Sequence, residues 1–494
     1  MSRYLLSLDQ GTTSGRAVLF DHRGRVVTIA SRPLASRHPQ SGHVEQDPVE
    51  MWRGIRESMD EALRQADATL ADVAAIGVTN QRQTTVAWRR STGEPVGPAM
   101  VWQSRASEPV CRRWREAGLA DRVADVTGLP IDPCFTASKV VWMLEQNADL
   151  RQLADAGDLV FGTVDAYLAS RLTGGRAVVT DSSNASGTML YDLRENRWSG
   201  ELLDAFGIDE SWLPEIAPSS GVVGQTDGET FGREVPVGGM IGDQQSALFG
   251  QSCVDVGDAK VTYGTGAFFL MNSGDRVTPP DSGLIASVAW NLGQGNVYAV
   301  EGFIMAACST FEWLCNELRL AESPPDLETL AAGADGTGGV TVVPAFSGLA
   351  APSWNSDARA IVAGLSGGST RAHIARAAFE ALAHQVCDVL EVARSLPGGA
   401  IDELRVDGGG SNSELLLRLQ ADLADIPVVR PQVTETTARG AAYMAGLAAG
   451  VWSGVDELRD LWTADRRVEP TMSADDREAH RDQWQRAVRQ CVAT

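Results

Sequence analysis

The chain has 494 residues, too many for one ordinary core, so two or three domains are expected. Its formal net charge of -22 is spread along the sequence, which disfavours nucleic acid and anionic membranes as partners. No apolar run approaches the ~20 residues of a membrane span, no secretory h-region opens the chain, and seven scattered cysteines form no CxxC pair, so a cytoplasmic protein with reduced thiols is expected.

Residues 4–8 and 17–20 are short aliphatic runs that read as strands. Between them lies DQGTTSGR (9–16), with two glycines, three hydroxyls and one carboxylate. Such a turn lets backbone N–H groups approach an anion, and its carboxylate would need a metal ion between itself and a phosphate. An ordinary hairpin turn has the same look. Residues 25–30 give a third strand. Pro48 opens a helix in which Met51, Trp52, Ile55, Met59 and Leu63 recur at steps mostly of three and four. Residues 73–79 and 84–88 return as strands, an α/β pattern with a mixed sheet.

Residues 98–236 are more irregular and read as an inserted subdomain, with a helix expected over 138–146. Near the midpoint the opening pattern recurs: strand 260–263, the turn Gly264-Thr265-Gly266, then strand 267–272. Strands over 284–290 and 297–301 and a helix over 306–320 follow. Two such units half a chain apart suggest a duplicated domain with a ligand in the cleft between copies. Residues 404–412 form a strand ending in a glycine run ahead of a helix over 414–423, a common place for a nucleotide. Residues 440–450 (GAAYMAGLAAG) form a helix of small residues suited to close packing.

In order, the chain carries LDQGTTSGR (8–16), GVTNQRQTT (77–85), VWQSR (101–105), TGLPIDPCFTASKVVWML (127–144), GTVDAYL (162–168), TDSSNASGTMLYD (180–192), GDQQSALFGQ (242–251) and TYGTGAFFLMN (262–272). VVPAFSGLAAPSW (342–354), GLSGGSTRAHIARAAFEALA (364–383) and TTARGAAYMAGLA (436–448) follow. With these motifs the chain resembles the FGGY carbohydrate kinases, and among them the glycerol kinases most closely, from residue 4 to about 467.

The resemblance implies two actin-like, ribonuclease-H-like α/β domains, 1–247 and 248–494, with the active site in the cleft. It implies transfer of the ATP γ-phosphoryl group to a polyol hydroxyl with Mg²⁺. Asp243 would be the general base, its residue-level alternative being a helix N-cap. Asp9 would lie beside the metal through water, with Asp243 also near it. Thr12, Thr13, Ser14, Thr265 and Gly266 would hold phosphates, and Arg16 would supply positive charge. Gly408 and Gly409 would lie against adenosine, with Ser413, Cys308 and Glu312 also on the nucleotide side.

Arg82, Gln83, Trp102, Cys134, Asp243, Gln244 and Phe268 occupy the family's polyol positions. Gln83 replaces the usual glutamate and Cys134 the usual tyrosine, which changes the hydrogen-bond pattern and opens space. Glycerol is the expected acceptor. A four-carbon or larger polyol, or a related ketose, is the alternative, and an actin- or chaperone-like ATPase a remote one. Cys308 and Glu312 likewise replace glycine and glutamine. Segment 228–233 is short and carries an acid, so no sugar-bisphosphate regulation is expected. The partner is a small molecule, with no nucleic acid and no membrane insertion; a homo-oligomer is compatible with the sequence.

Overall fold

The computed structural model describes residues 3–277 and 282–493. Its principal feature is a pair of sheets with the same strand plan. The first contains β1 (Tyr4–Gln10), β2 (Ser14–Asp21), β3 (Val26–Pro33), β4 (Val73–Asn80), β5 (Ser220–Gln225) and β6 (Pro236–Gly242), in the order β5-β6-β4-β1-β2-β3. Strands β1, β4 and β6 are mutually parallel, and β2 runs against β1. The second contains β7 (Ala259–Tyr263), β8 (Ala267–Gly274), β9 (Ile285–Asn291), β10 (Asn296–Ile304), β11 (Leu404–Asp407), β12 (Val428–Pro431) and β13 (Ala464–Val468). Its order is β9-β10-β8-β7-β11-β12-β13, with β7, β11 and β12 parallel. Apart from the added edge strand β9, each position has its counterpart in the first sheet.

Local chemistry explains the elements. Leu5, Leu6 and Leu8 are fully buried on both faces of β1, as an inner strand requires. Helix Pro48–Gln65 starts where Asp47 accepts from the Val49 N–H and Pro48 fits the first turn, and it lays Met51, Ile55, Met59 and Leu63 on the sheet. Segment 98–236 builds a separate core around Val110, Trp114, Phe135, Phe161 and Phe206.

Several expected elements shift. The run at 84–88 becomes Thr85–Arg89 and joins a separate four-stranded sheet with Glu45–Gln46, Ala99–Met100 and Leu159–Thr163. The expected helix at 138–146 begins earlier, at Thr136. The expected helix at 306–320 is Cys308–Asn316; it starts late because Ala307 is non-helical and its N–H is taken by the Thr265 carbonyl at 3.0 Å. The strand expected at 297–301 extends to Asn296–Ile304, since its pairing with β8 continues to Ala267.

The small-residue helix is Thr436–Ala448. It packs on β1, β4 and β6 of the first sheet and crosses helix Asp243–Gly250. A Cβ on Gly440 would lie 2.0 Å from the Ser246 carbonyl, and one on Gly250 2.0 Å from that of Thr436. Only glycines allow these backbones to approach so closely. Among the described residues, no helix is long and apolar enough to cross a membrane.

Candidate active site

The C-terminal ends of β1, β4 and β6 lie side by side, with Gln10 and Gly242 both in register with Asn80. Ligands of open α/β sheets bind outside such an edge. Asp9 sits near the end of β1, Arg82 two residues beyond β4, and Asp243 directly after β6. Gly242, not Asp243, is the helix N-cap; Asp243 is the first helical residue, and its Oδ1 accepts the Gln244 N–H at 2.7 Å.

Arg82 is buried between two acids. Its Nη1 donates to Glu301 Oε1 at 2.8 Å and its Nε lies 3.4 Å from Asp243 Oδ1. Gln245 Nε2 also donates to Glu301, at 2.9 Å. Glu301 belongs to β10, so Arg82 joins the two halves of the chain. Burial pushes Glu301 up, but the Arg82 guanidinium outweighs it and holds the carboxyl below its ordinary value. At Asp243 burial dominates over Arg82, and its pKa is raised. A carboxylate raised in this way is a better proton acceptor than a free aspartate.

Gln83 has a left-handed backbone, φ +60°, uncommon for a non-glycine residue. Its carbonyl accepts from Lys139 Nζ at 2.8 Å, and the same ammonium donates to the Cys134 carbonyl at 2.6 Å. The two polyol-site positions expected to differ from the resembled family are therefore drawn together by one buried lysine. Burial lowers Lys139 to about 8 and raises the Cys134 thiol to about 11.

Trp102 faces the first glycine turn. Its indole N–H donates to Thr12 Oγ1 at 3.0 Å, and its backbone N–H to Thr84 Oγ1 at 3.2 Å. Thr84 donates to Gln81 Oε1 at 3.1 Å, Gln81 to Gln46 Oε1 at 2.7 Å, and Gln46 to the Thr12 carbonyl at 2.6 Å. These five residues form a closed hydrogen-bonded ring.

The turns at Gly11 and Gly264 share a backbone closure: Gly11 N–H donates to the Ser14 carbonyl and Gly264 N–H to that of Gly266, both at 2.9 Å. Thr13 and Thr265 are exposed at their tips, while Thr12, Ser14 and Gly266 are half-buried. Behind the second turn, the Cys308 N–H donates to the Gly264 carbonyl at 3.1 Å. The glycine run after β11 lies alongside: a Cβ on Gly408 would be 2.5 Å from the Tyr263 carbonyl, and one on Gly410 2.7 Å from Cys308 Sγ. Gly409 faces open space. Burial raises the Cys308 thiol to about 11, with Glu312 adding to the effect. Glu312 is exposed one turn further along the same helix. Phe268, from β8, stacks on Phe303 with ring centroids 4.7 Å apart. Gln244 accepts from Lys260 Nζ at 2.7 Å.

Two expected nucleotide contacts have other partners in this structure. Arg16 is held by Asp9 Oδ2 and by Glu435 Oε2, the latter at 2.8 Å. Ser413 caps helix Glu414–Ala424, accepting from the Leu416 N–H at 3.1 Å.

Sequence reasoning passed over Lys139, Lys260, Glu301 and Glu435. Lysine or glutamate inside an apolar strand was the available signal for Lys260 and Glu301; Glu435 carries none, because its partner is remote in sequence. A second group of ligand-type side chains, Glu380, His384 and His480, joins helices Arg371–Ser395 and Ala474–Val492. Arg376 Nε donates to Glu380 Oε1 at 3.0 Å, and Arg481 Nη1 lies 3.3 Å from His384 Nδ1. Guanidinium donors thus close this cluster as an interhelical network.

The model of the FGGY carbohydrate kinase N-terminal domain matches residues 4–250, and that of the C-terminal domain residues 259–449. The glycerol kinase of Acidovorax ebreus is 47% identical, with 99% of both chains aligned. That of Caldanaerobacter subterraneus is 44% identical, with 100% of this chain and 99% of the relative aligned. Among solved structures, Plasmodium falciparum glycerol kinase with ADP superposes with a TM-score of 0.94 at 31% identity, over 99% of each chain. A ligand-bound xylulose kinase from Lactobacillus acidophilus shares the fold, with a TM-score of 0.89 at 20% identity over 99% of this chain and 98% of that one. The chain belongs to the FGGY family of carbohydrate kinases.

Proposed function

We propose that the protein transfers the γ-phosphoryl group of ATP to a terminal hydroxyl of a small polyol, converting glycerol to sn-glycerol 3-phosphate. The observation that carries this reading is the placement of Asp243: a carboxylate of raised pKa, steadied by Arg82, at a sheet edge flanked by glycine turns. Similarity to glycerol kinases over essentially the whole chain supports glycerol as acceptor, and the ADP-bound neighbour supports an adenine nucleotide as donor.

Asp243 takes the hydroxyl proton as the polyol oxygen bonds to the γ-phosphorus and the β–γ bridge bond breaks, leaving ADP. Arg82, Gln83, Trp102, Cys134, Gln244 and Phe268 position the polyol. Thr12, Thr13, Ser14, Thr265 and Gly266 offer backbone and hydroxyl donors to phosphate oxygens. Gly408 and Gly409 leave room for the adenosine, and Cys308, Glu312 and Ser413 border it. Arg16, by engaging Asp9, sets the charge of the first turn. Mg²⁺ fits the residues present, because among the described residues Asp9 Oδ1 and Asp243 Oδ2 receive no protein hydrogen bond. Such an ion would neutralise charge on the phosphates while keeping much of its water.

Residues 1–247 would supply most of the polyol site, the first phosphate turn and the base, and 248–494 the second phosphate turn, the adenosine site and Phe268; the boundary falls inside helix Asp243–Gly250. We place the enzyme in the cytoplasm, without sugar-bisphosphate control. A coupled ADP-release assay over a polyol and ketose panel tests the reading. Glycerol should give the highest kcat/KM; preference for erythritol, threitol or a ketose would overturn the acceptor assignment, and polyol-independent turnover would overturn the kinase reading.

A further inference from the structure

Lys260 is the second residue of β7 and is fully buried. Burying an ammonium is strongly unfavourable unless it is compensated, and an apolar side chain would pack a central strand as well. Among the described residues no carboxylate lies within ion-pair distance of its Nζ. Its partners are two neutral oxygens: Gln244 Oε1 at 2.7 Å and Thr262 Oγ1 at 2.6 Å. Asp407, Asp243 and Glu301 balance the charge from further away, against Arg82.

The bond to Gln244 decides which way that amide points. An ammonium only donates, so the glutamine must turn its oxygen to Lys260; the flipped amide would set N–H against N–H. Gln244 is half-buried beside Asp243, and among the described residues its Nε2 has no acceptor. Its two N–H groups are therefore free for a ligand. Asp243 next to it only accepts. A substrate hydroxyl has one proton to give and lone pairs to fill, so the neighbours offer complementary halves of a hydroxyl site.

We propose that Lys260 is a positioning residue for the acceptor: it locks the Gln244 amide so that Gln244 donates to a polyol oxygen. This rests on the polyol kinase reading above. Lys260 reaches from the second sheet to a residue of the helix that follows the first, and its other bond falls on the strand leading into Gly264–Gly266. The lock thus holds only when the two halves are correctly placed.

Steady-state kinetics with glycerol, 1,2-propanediol and 1,3-propanediol test it. Lys260→Met should raise the glycerol KM about tenfold, the size of one lost hydrogen bond, with the ATP KM unchanged. The penalty should shrink with whichever propanediol lacks the hydroxyl that Gln244 serves. Gln244→Leu should raise the glycerol KM similarly, and the double variant should be no worse than Gln244→Leu alone. Independent, multiplying effects would overturn the proposal, as would an unchanged glycerol KM in Lys260→Met or equal rises for both substrates. If Lys260→Met fails to fold, Gln244→Glu decides: it keeps the bond to Lys260 but has no donor for the polyol. Wild-type thermal stability with weakened glycerol binding supports the assignment; undiminished binding overturns it. Absence of polyol-dependent turnover in the wild type would instead overturn the kinase reading itself.

Discussion

The two sheets share a strand order, but their working edges carry opposite chemistry. The first ends in charge: Asp9 is the last residue but one of β1, and Arg82 and Asp243 follow the two strands parallel to it. The second ends in bare backbone: Gly264, Gly266, Gly408 and Gly409 cluster after β7 and β11. On the function proposed above, one architecture would therefore support two tasks, proton transfer where side chains converge and nucleotide accommodation where they are missing. The edges are not independent, because Arg82 binds Glu301, Lys260 binds Gln244, and Arg16 binds Glu435.

If this division holds, substitutions on one edge should spare the function of the other. Asp243→Asn should have the largest effect, lowering kcat by about 10²–10⁴ for loss of a general base, with ADP affinity by calorimetry unchanged. A kcat loss below tenfold would remove Asp243 from the chemistry. Arg82→Met leaves Glu301 buried without its cation and should reduce stability by about 3–5 kcal/mol, read in urea unfolding, while weakening polyol use. Gly408→Ala probes the other edge. Gly408 has φ +80° and ψ 172°, a conformation open essentially to glycine alone. Alanine there should carry about 1–3 kcal/mol of strain and raise the ATP KM while sparing that of glycerol.

The smallest effect concerns pH. Since Asp243 is raised, kcat/KM should fall as pH drops through a value above the ordinary aspartate value of about 4, where the base takes up a proton. A limb at or below 4 would contradict the buried setting of Asp243.

The fold was legible because apolar runs and glycine turns repeat at half-chain spacing, and local pattern suffices for β1–β2 and β7–β8. Motif and family likeness are what single out Asp243 and Arg82 as candidates, and the structure places them side by side. What pattern could not supply was partnership. Arg16 looks like a free cation beside a phosphate loop, yet it is shared by Asp9 and a glutamate more than 400 positions away. The start of helix Cys308–Asn316 is set in the same way, by preceding backbone committed to the Gly264–Gly266 turn. Lys260 reads as an ordinary strand residue until Gln244 is seen opposite it.

The ring of Thr12, Gln46, Gln81, Thr84 and Trp102 bears on which sequences this site can tolerate. Each residue in it is bonded to two neighbours, Gln46, Gln81 and Thr84 through their side chains and Thr12 and Trp102 through a side chain and a backbone group, so no side chain can change its donor and acceptor pattern without stranding another. Gln46 and Gln81 are buried, and neither is assigned a ligand contact. In a saturation-mutagenesis screen selected on glycerol, both should nevertheless resist replacement almost as strongly as residues that meet the substrate. Glutamate at either position should be rejected despite its matching shape.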